Sequence, residues 1–175
     1  MSTVQTICES GMHFLCDPRY TFFVEKYVHD TGLQGVKSVE FIRKKSPGLI
    51  CLVEAKTSAP HPKEPSPDNF KQFIGEIAQK AIDGFSLLLS VIISRRDADL
   101  GELLASVDYA KTDFCFVLVI KNHEKDWLPD VHDALKEYLR HFFTAWNWGS
   151  RPVLVLNEEM AAKCGLILAP TDESE

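Results

Sequence analysis

The sequence predicts an α/β fold, a mixed β-sheet flanked by helices, and three observations carry that reading. The runs Leu49-Ile50-Cys51-Leu52-Val53 and Phe114-Cys115-Phe116-Val117-Leu118-Val119-Ile120 are apolar at every position, as strands are when both faces are covered. Between them Phe70, Phe73, Ile74, Ile77, Ala78, Ala81, Phe85, Leu88, Leu89 and Ile92 recur at helical spacing and form one long stripe. The order helix, hairpin, long helix, helix, buried strand, helix, strand then describes helices packed on a mixed sheet.

Taken in order, Val4 to Ile7 is a candidate edge strand. Asp17-Pro18 opens the first helix, because Asp caps well and Pro is tolerated at the first helical position. Tyr20, Phe23, Val24 and Tyr27 give it an apolar stripe, and Gly32 ends it. Glu25 sits at the edge of that stripe, where it can lean toward the strands or pair with His29. Two strand-like runs follow, Val36 to Arg43 and Leu49 to Lys56, around the turn signal Ser46-Pro47-Gly48. The Pro-rich stretch 57–68 forbids regular pairing and reads as a lid, a partner-docking segment or a plain linker. His61 within it bears on function only if it folds back over Glu54.

Asp68 is expected to cap the long helix, Asn69 to Ser94, which is weakened slightly by Gly84. Past Phe85 this helix is apolar nearly all round, so that half is expected to be buried within the domain or against a partner subunit. A shorter helix is expected from Asp99 to Lys111, then the central strand from Phe114, with helices over both its faces. The next helix spans Leu128 to Trp146, with Leu128, Val131, Leu135, Tyr138, Leu139, Phe142 and Trp146 inward and His132 and His141 on the surface. Trp146-Asn147-Trp148 reads as core or partner packing in preference to base stacking. Val153 to Leu156 is a strand, Glu158 to Lys163 a turn or two of helix, Leu166 to Leu168 a last edge strand, and 170–175 an acidic tail.

Composition excludes several functions. At 175 residues and 45% hydrophobic content, the chain is expected to form one domain over residues 1–175. Its 19 basic and 25 acidic side chains leave a charge of −6, the wrong sign for a general nucleic-acid coat. A local basic patch such as Arg43-Lys44-Lys45, together with a bound metal, still permits a nuclease. The 5 cysteines are odd in number and form no C-x-x-C, which argues against structural zinc. With no basic n-region near Met1 and no apolar window longer than Phe85 to Ile93, the expectation is a soluble cytoplasmic protein without a membrane partner. Neither a Gly-rich phosphate loop nor an H-E-x-x-H or G-x-S-x-G motif occurs.

The hairpin is therefore the one chemical signal. Side chains alternate along a strand, so Glu54 and Lys56 leave the same face as Ile50 and Leu52. If Ser46, Pro47 and Gly48 form a three-residue loop, Lys45 faces Leu49 and Glu40 falls across from Glu54. A two-residue loop would put the two carboxylates on opposite faces. In the favourable register they can share a divalent cation, with Lys56 one pleat further on.

Glu40 followed by Glu54-Ala55-Lys56 resembles the signature of the PD-(D/E)xK nuclease-like superfamily, an acid on one strand and E-x-K at the end of the next. The resemblance spans roughly Asp17 to Ile120 and implies a restriction-endonuclease-like core. It further implies a Mg²⁺- or Mn²⁺-dependent endonuclease acting on DNA or RNA. In that reading Glu40 and Glu54 hold the metal, the Ala55 carbonyl completes its protein ligands, Lys56 assists the attacking water and Glu25 is an outer helper. A Gln or Lys on the following helix is also common in the family, and Gln72, Gln79 and Lys80 compete for that place. The chain departs from the pattern in three ways: the first acid is Glu and not Asp, no Pro precedes it, and two clear strands precede the long helix where three are usual. The rival reading is a non-catalytic interaction protein that keeps the fold as a scaffold. It would dock a partner through the long helix or the Pro-rich loop, as a homodimer or in a larger complex.

Overall fold

A computed structural model of the protein describes residues 4–61 and 67–169. The described chain opens with a tight antiparallel hairpin, β1 (Gln5–Glu9) and β2 (Met12–Cys16). Ser10 and Gly11 turn it with φ of 51° and 72°, the pair of positive values that a two-residue type I′ turn needs. The main sheet has five strands in the order β3-β4-β5-β6-β7, with β3 (Thr21–Phe22), β4 (Phe41–Ser46), β5 (Leu49–Lys56), β6 (Asp113–Ile120) and β7 (Val153–Asn157). β3, β4 and β5 are antiparallel neighbours, while β5, β6 and β7 run parallel. Parallel neighbours need a crossover, and α2 (Pro67–Ile92) supplies the first of them.

Alternation along the central strands divides the core into two layers. Ile42, Ile50, Leu52, Phe116, Leu118 and Ile120 face α2 and a later helix, α4 (Leu128–Tyr138). Phe41, Cys51, Val53, Ala55, Val117 and Val119 face the β1–β2 hairpin and the C-terminal segment. Each fully buried Leu or Phe contributes about 1.5–3 kcal/mol relative to an exposed one, which is why β5 and β6 carry no polar residue before their ends. Two helices thus cover one face of β6, and on the other a short helix, Glu158–Lys163, covers part of the strand through Ala161, so the expectation of helices on both faces holds only in part. Met12, Phe14 and Cys16 of the hairpin seal the rest of that second face, with Phe14 edge-on to Phe41 at 5.5 Å.

Several boundaries differ from the sequence expectation. Asp17 caps a single 3-10 turn, Pro18–Tyr20, by accepting from the Arg19 amide, and β3 follows directly. The first helix, α1 (Val24–Thr31), therefore starts later than Pro18, while Gly32 ends it at φ 64° as expected. β3 supplies the main sheet with a third strand ahead of the long helix, too short at two residues to show in a pattern of alternation. The helix expected over 99–111 is reduced to α3 (Glu102–Ala105) and a 3-10 turn, Tyr109–Lys111. Asp99 and Asp108 explain the break, since their carboxylates bond the backbone amides of Gly101 and Ala110 in local turns. The expected 128–146 helix divides at Leu139 into α4 and α5 (Arg140–Ala145).

Trp148 is buried among Phe85, Phe114, Phe142 and Phe143, so its place is core packing, while Trp146 stays 49% exposed. The short helix α6 (Glu158–Lys163) forms as expected. Ile167 bridges to Phe14 and so extends the hairpin. Residues 62–66 of the Pro-rich stretch and the 170–175 tail lie outside the described residues. Among the described residues no helix is long and apolar enough to cross a membrane.

Candidate metal centre

β5 is apolar until its last turn of alternation, and there it delivers Glu54 to a position with no solvent exposure. Two ammonium groups meet it. Lys56 Nζ lies 2.8 Å and Lys80 Nζ 2.7 Å from Glu54 Oε1. Lys80 sits between Ile77 and Ala81 on the inward face of α2, so helix periodicity aims it at the sheet. Of the three residues that competed on this helix, only Lys80 reaches the site. Gln72 bonds Glu76 at 2.9 Å and Gln79 bonds Asp83 at 2.7 Å. Burial pushes the Glu54 carboxyl above its ordinary range, against the pull of Lys80 and Lys56. Burial alone would depress Lys56, but the Glu54 carboxylate outweighs it and holds that ammonium above its usual value. The other oxygen, Glu54 Oε2, is buried and has no hydrogen-bond partner among the described residues.

The hairpin that brings Glu40 close differs from expectation in its turn. Ser46 pairs with Leu49 and Lys44 with Ile50, so the loop has two residues and Lys45 is bulged out of the ladder. One extra residue in the strand restores the count that a three-residue loop would have given. The ladder then runs to Phe41 opposite Val53 and stops. Glu40 lies one step beyond, its amide bonded at 3.0 Å to the same Val53 carbonyl, so it leaves the regular alternation of β4. Its backbone is pinned from three sides. The Glu25 amide at the start of α1 donates to the Glu40 carbonyl at 3.3 Å. The Lys37 amide donates to Asp83 of α2 at 2.9 Å. Val39 presses on Gly84, where an added Cβ would stand 3.0 Å from Val39 Cγ2. Gly84 is thus where the helix passes close enough to fix the approach to Glu40.

The Glu40 side chain is 8% exposed and turns toward two further carboxyls. One oxygen from each of Glu9, Glu25 and Glu40 lies within 4.8 Å of the others. Burial, a hydrogen bond with Glu25 and the charges of Glu54, Glu25 and Glu9 push the Glu40 carboxyl up to about 9. Glu9, hydrogen-bonded to Glu40, is itself raised by burial and by the charges of Glu25 and Glu54. Glu40 Oε2 is buried without a partner. A cleft of about 540 Å³ opens beside these residues, lined by Ile7, Glu9, Phe23, Glu25, Ser38 and Glu40 among others.

The sequence-predicted residues thus fall into two adjoining sets. Glu54 and Lys56 stand with Lys80, Glu25 stands with Glu40, and the charge of Glu54 reaches Glu40 from one set to the other. Glu25 does not pair with His29, whose ring lies 3.3 Å from Asp30. Ala55 is buried in β5. Val53 O is directed toward β4 and Lys56 O toward β6, where it accepts from Lys121, so alternation sends the Ala55 carbonyl to the β4 side, past the end of the ladder. Oxygen donors of this kind fit Mg²⁺ or Mn²⁺, and the two orphaned buried oxygens are what a hard cation would satisfy. Arg43-Lys44-Lys45, in contrast, lies toward the far end of the hairpin, roughly 10–14 Å from Glu54 along β5, and Arg43 is spent on the Leu15 carbonyl. His61 packs edge-on to Trp127, with ring centroids 4.4 Å apart.

Glu9 escaped sequence reading. Its signal was Ser10-Gly11, a two-residue turn dipeptide between QTICE and MHFLC, which marks a hairpin whose last residue before the turn is Glu9. No protein-family model, no curated protein and no solved structure significantly matches this chain.

Proposed function

We propose that this protein is a divalent-metal-dependent endonuclease that hydrolyses phosphodiester bonds of DNA or RNA, on a core of the restriction-endonuclease-like kind. The antiparallel β3-β4-β5 meander, the α2 crossover and parallel β6 are consistent with that core. One observation carries the reading. Two buried carboxylates, Glu40 and Glu54, each keep an unpartnered oxygen beside a lysine placed two residues after the second.

Glu40, Glu54 and the Ala55 carbonyl are the residues that would hold Mg²⁺ or Mn²⁺. When bound, such an ion polarises a phosphoryl oxygen and lowers the pKa of a coordinated water. Lys56, 32% exposed and anchored on Glu54 Oε1, can orient the attacking water and offset negative charge developing on the phosphorus oxygens. Lys80 fixes the Glu54 carboxylate from the helix side, which leaves Oε2 as its free donor. Glu25, exposed at the start of α1, is the outer helper. Incubating the protein with single- and double-stranded DNA and with RNA in Mg²⁺ or Mn²⁺, beside Glu54→Gln, tests this. Cleavage by the parent and its loss in the variant are expected; no cleavage of any of these by the parent would overturn it.

The scaffold reading is favoured by a different observation, that two lysines close on one oxygen of Glu54 as a structural ion triad does. Its helix docking surface is largely consumed inside the chain. Phe85 of α2 contacts Phe142, Trp146 and Trp148, and Leu87 and Leu88 are buried, leaving Ile93 just past the helix exposed at 65%.

A further inference from the structure

We infer that Glu9, delivered by the β1–β2 hairpin from outside the nuclease-like motif, is a direct divalent-cation ligand that shares the ion with Glu40, with Glu25 beside them as the outer helper. This rests on the metal-dependent reading above and adds to it a residue and a structural element. The wall of the site is then built partly by the hairpin, not by the motif strands and helix alone.

The physical case starts from proximity. One oxygen from each of Glu9, Glu25 and Glu40 lies within 4.8 Å of the other two, close enough for a single cation to meet them. Lysines do not fill that place: Lys56 and Lys80 are both committed to Glu54 Oε1, and Lys26 on the cleft wall is paired with Asp30. An independent sign points the same way. Glu40 is 8% exposed, lines the cleft, and keeps Oε2 buried with no partner, a state that costs free energy in the absence of a ligand. The adjoining cleft of about 540 Å³ has room for the waters that Mg²⁺ retains when one or a few carboxylates bind it.

The hairpin is built to hold Glu9 in place. Glu9 pairs with Met12 across the turn, and Met12, Phe14 and Cys16 are buried under the sheet, so the strand that carries Glu9 cannot shift without opening that layer. At the turn, Lys121 Nζ donates to the Gly11 carbonyl at 3.1 Å and ties the hairpin tip to the end of β6. Glu9 is half-buried at the rim, where it can meet an ion entering from the cleft.

Calorimetric titration of the full chain with Mn²⁺ alone, at pH 7.5, separates the possibilities. Glu9→Gln keeps the shape and the fold, which circular dichroism checks, and is expected to weaken Mn²⁺ binding by about tenfold or more through loss of one charged ligand. Glu159→Gln, on the α6 surface and paired with Lys163, is expected to bind as the parent does. Parent-like binding by Glu9→Gln, with binding still lost in Glu54→Gln, would overturn the role of Glu9 and leave the nuclease reading standing. Failure of the parent itself to bind Mn²⁺ would overturn both.

Discussion

Glu54 and Glu40 are both carboxylates shut away from water at one end of the sheet, and the protein treats them in opposite ways. Glu54 has two ammonium groups within 2.8 Å of one oxygen. Glu40 has two more carboxyls for neighbours and is pushed up to about 9. In the first region buried charge is compensated by side chains, so its removal should harm the fold. In the second, like charges are forced together by α1, the hairpin and the approach to β4, so removal of a charge should help the fold and harm only ligand binding. A buried ion pair and a buried unbalanced cluster are thus distinguishable by the sign of the same experiment.

The largest effect is expected at Glu54. Glu54→Ala leaves Lys56 and Lys80 facing each other beside an apolar layer, and unfolding in urea should show a loss of about 3 kcal/mol, the lower part of the usual range because Lys56 is partly exposed. Glu40→Gln, measured the same way at pH 8, should be neutral or stabilising. A large loss in Glu40→Gln and none in Glu54→Ala would invert the contrast.

Next in size is the pH dependence. A carboxyl whose folded pKa is raised binds more protons folded than unfolded, so its contribution is fully present below about 4.5 and is lost as pH rises toward about 9. In chelator, the parent's melting temperature should therefore fall between pH 5 and pH 9, and Glu40→Gln should flatten that slope. Mn²⁺ competes with the proton for the same oxygens, so the rise in melting temperature on adding it should be greater at pH 8 than at pH 5.5. Equal stabilisation at both values would place the ion elsewhere.

Much of this was legible in the chain. β5 and β6 announced themselves through unbroken apolar runs, α2 through its stripe, and Glu54-Ala55-Lys56 through the end of the run that carries it. What stayed hidden depends on tertiary contacts or on elements shorter than a period. β3 has two residues and cannot display alternation. The Lys45 bulge is invisible to residue counting, and the expected register survives as far as Phe41 only because the bulge and the shorter turn offset one another. Asp17 was a sound cap, but for a 3-10 turn, because Thr21 and Phe22 gain more by pairing with Arg43 and Ile42 than by continuing a helix. Glu9 is 31 residues from Glu40 in sequence, and nothing local says that the two hairpins stack.

The smallest expected effect tests that stacking. Lys121 follows β6, and its ammonium on the Gly11 carbonyl is a charged bond at the rim of the structure, worth about 1 kcal/mol or less once screening by water is allowed for. Lys121→Gln should leave the urea midpoint close to the parent's, because Met12, Phe14 and Cys16 still hold the hairpin from below. Hydrogen exchange at the β1 and β2 amides should nevertheless quicken relative to β5 and β6, since β1 itself carries no buried residue. Mn²⁺ affinity should fall a little in step with it, by less than in Glu9→Gln, because the carboxylate remains but is held less firmly. Faster exchange with unchanged affinity would mean that the hairpin covers the sheet without contributing to the ion's surroundings.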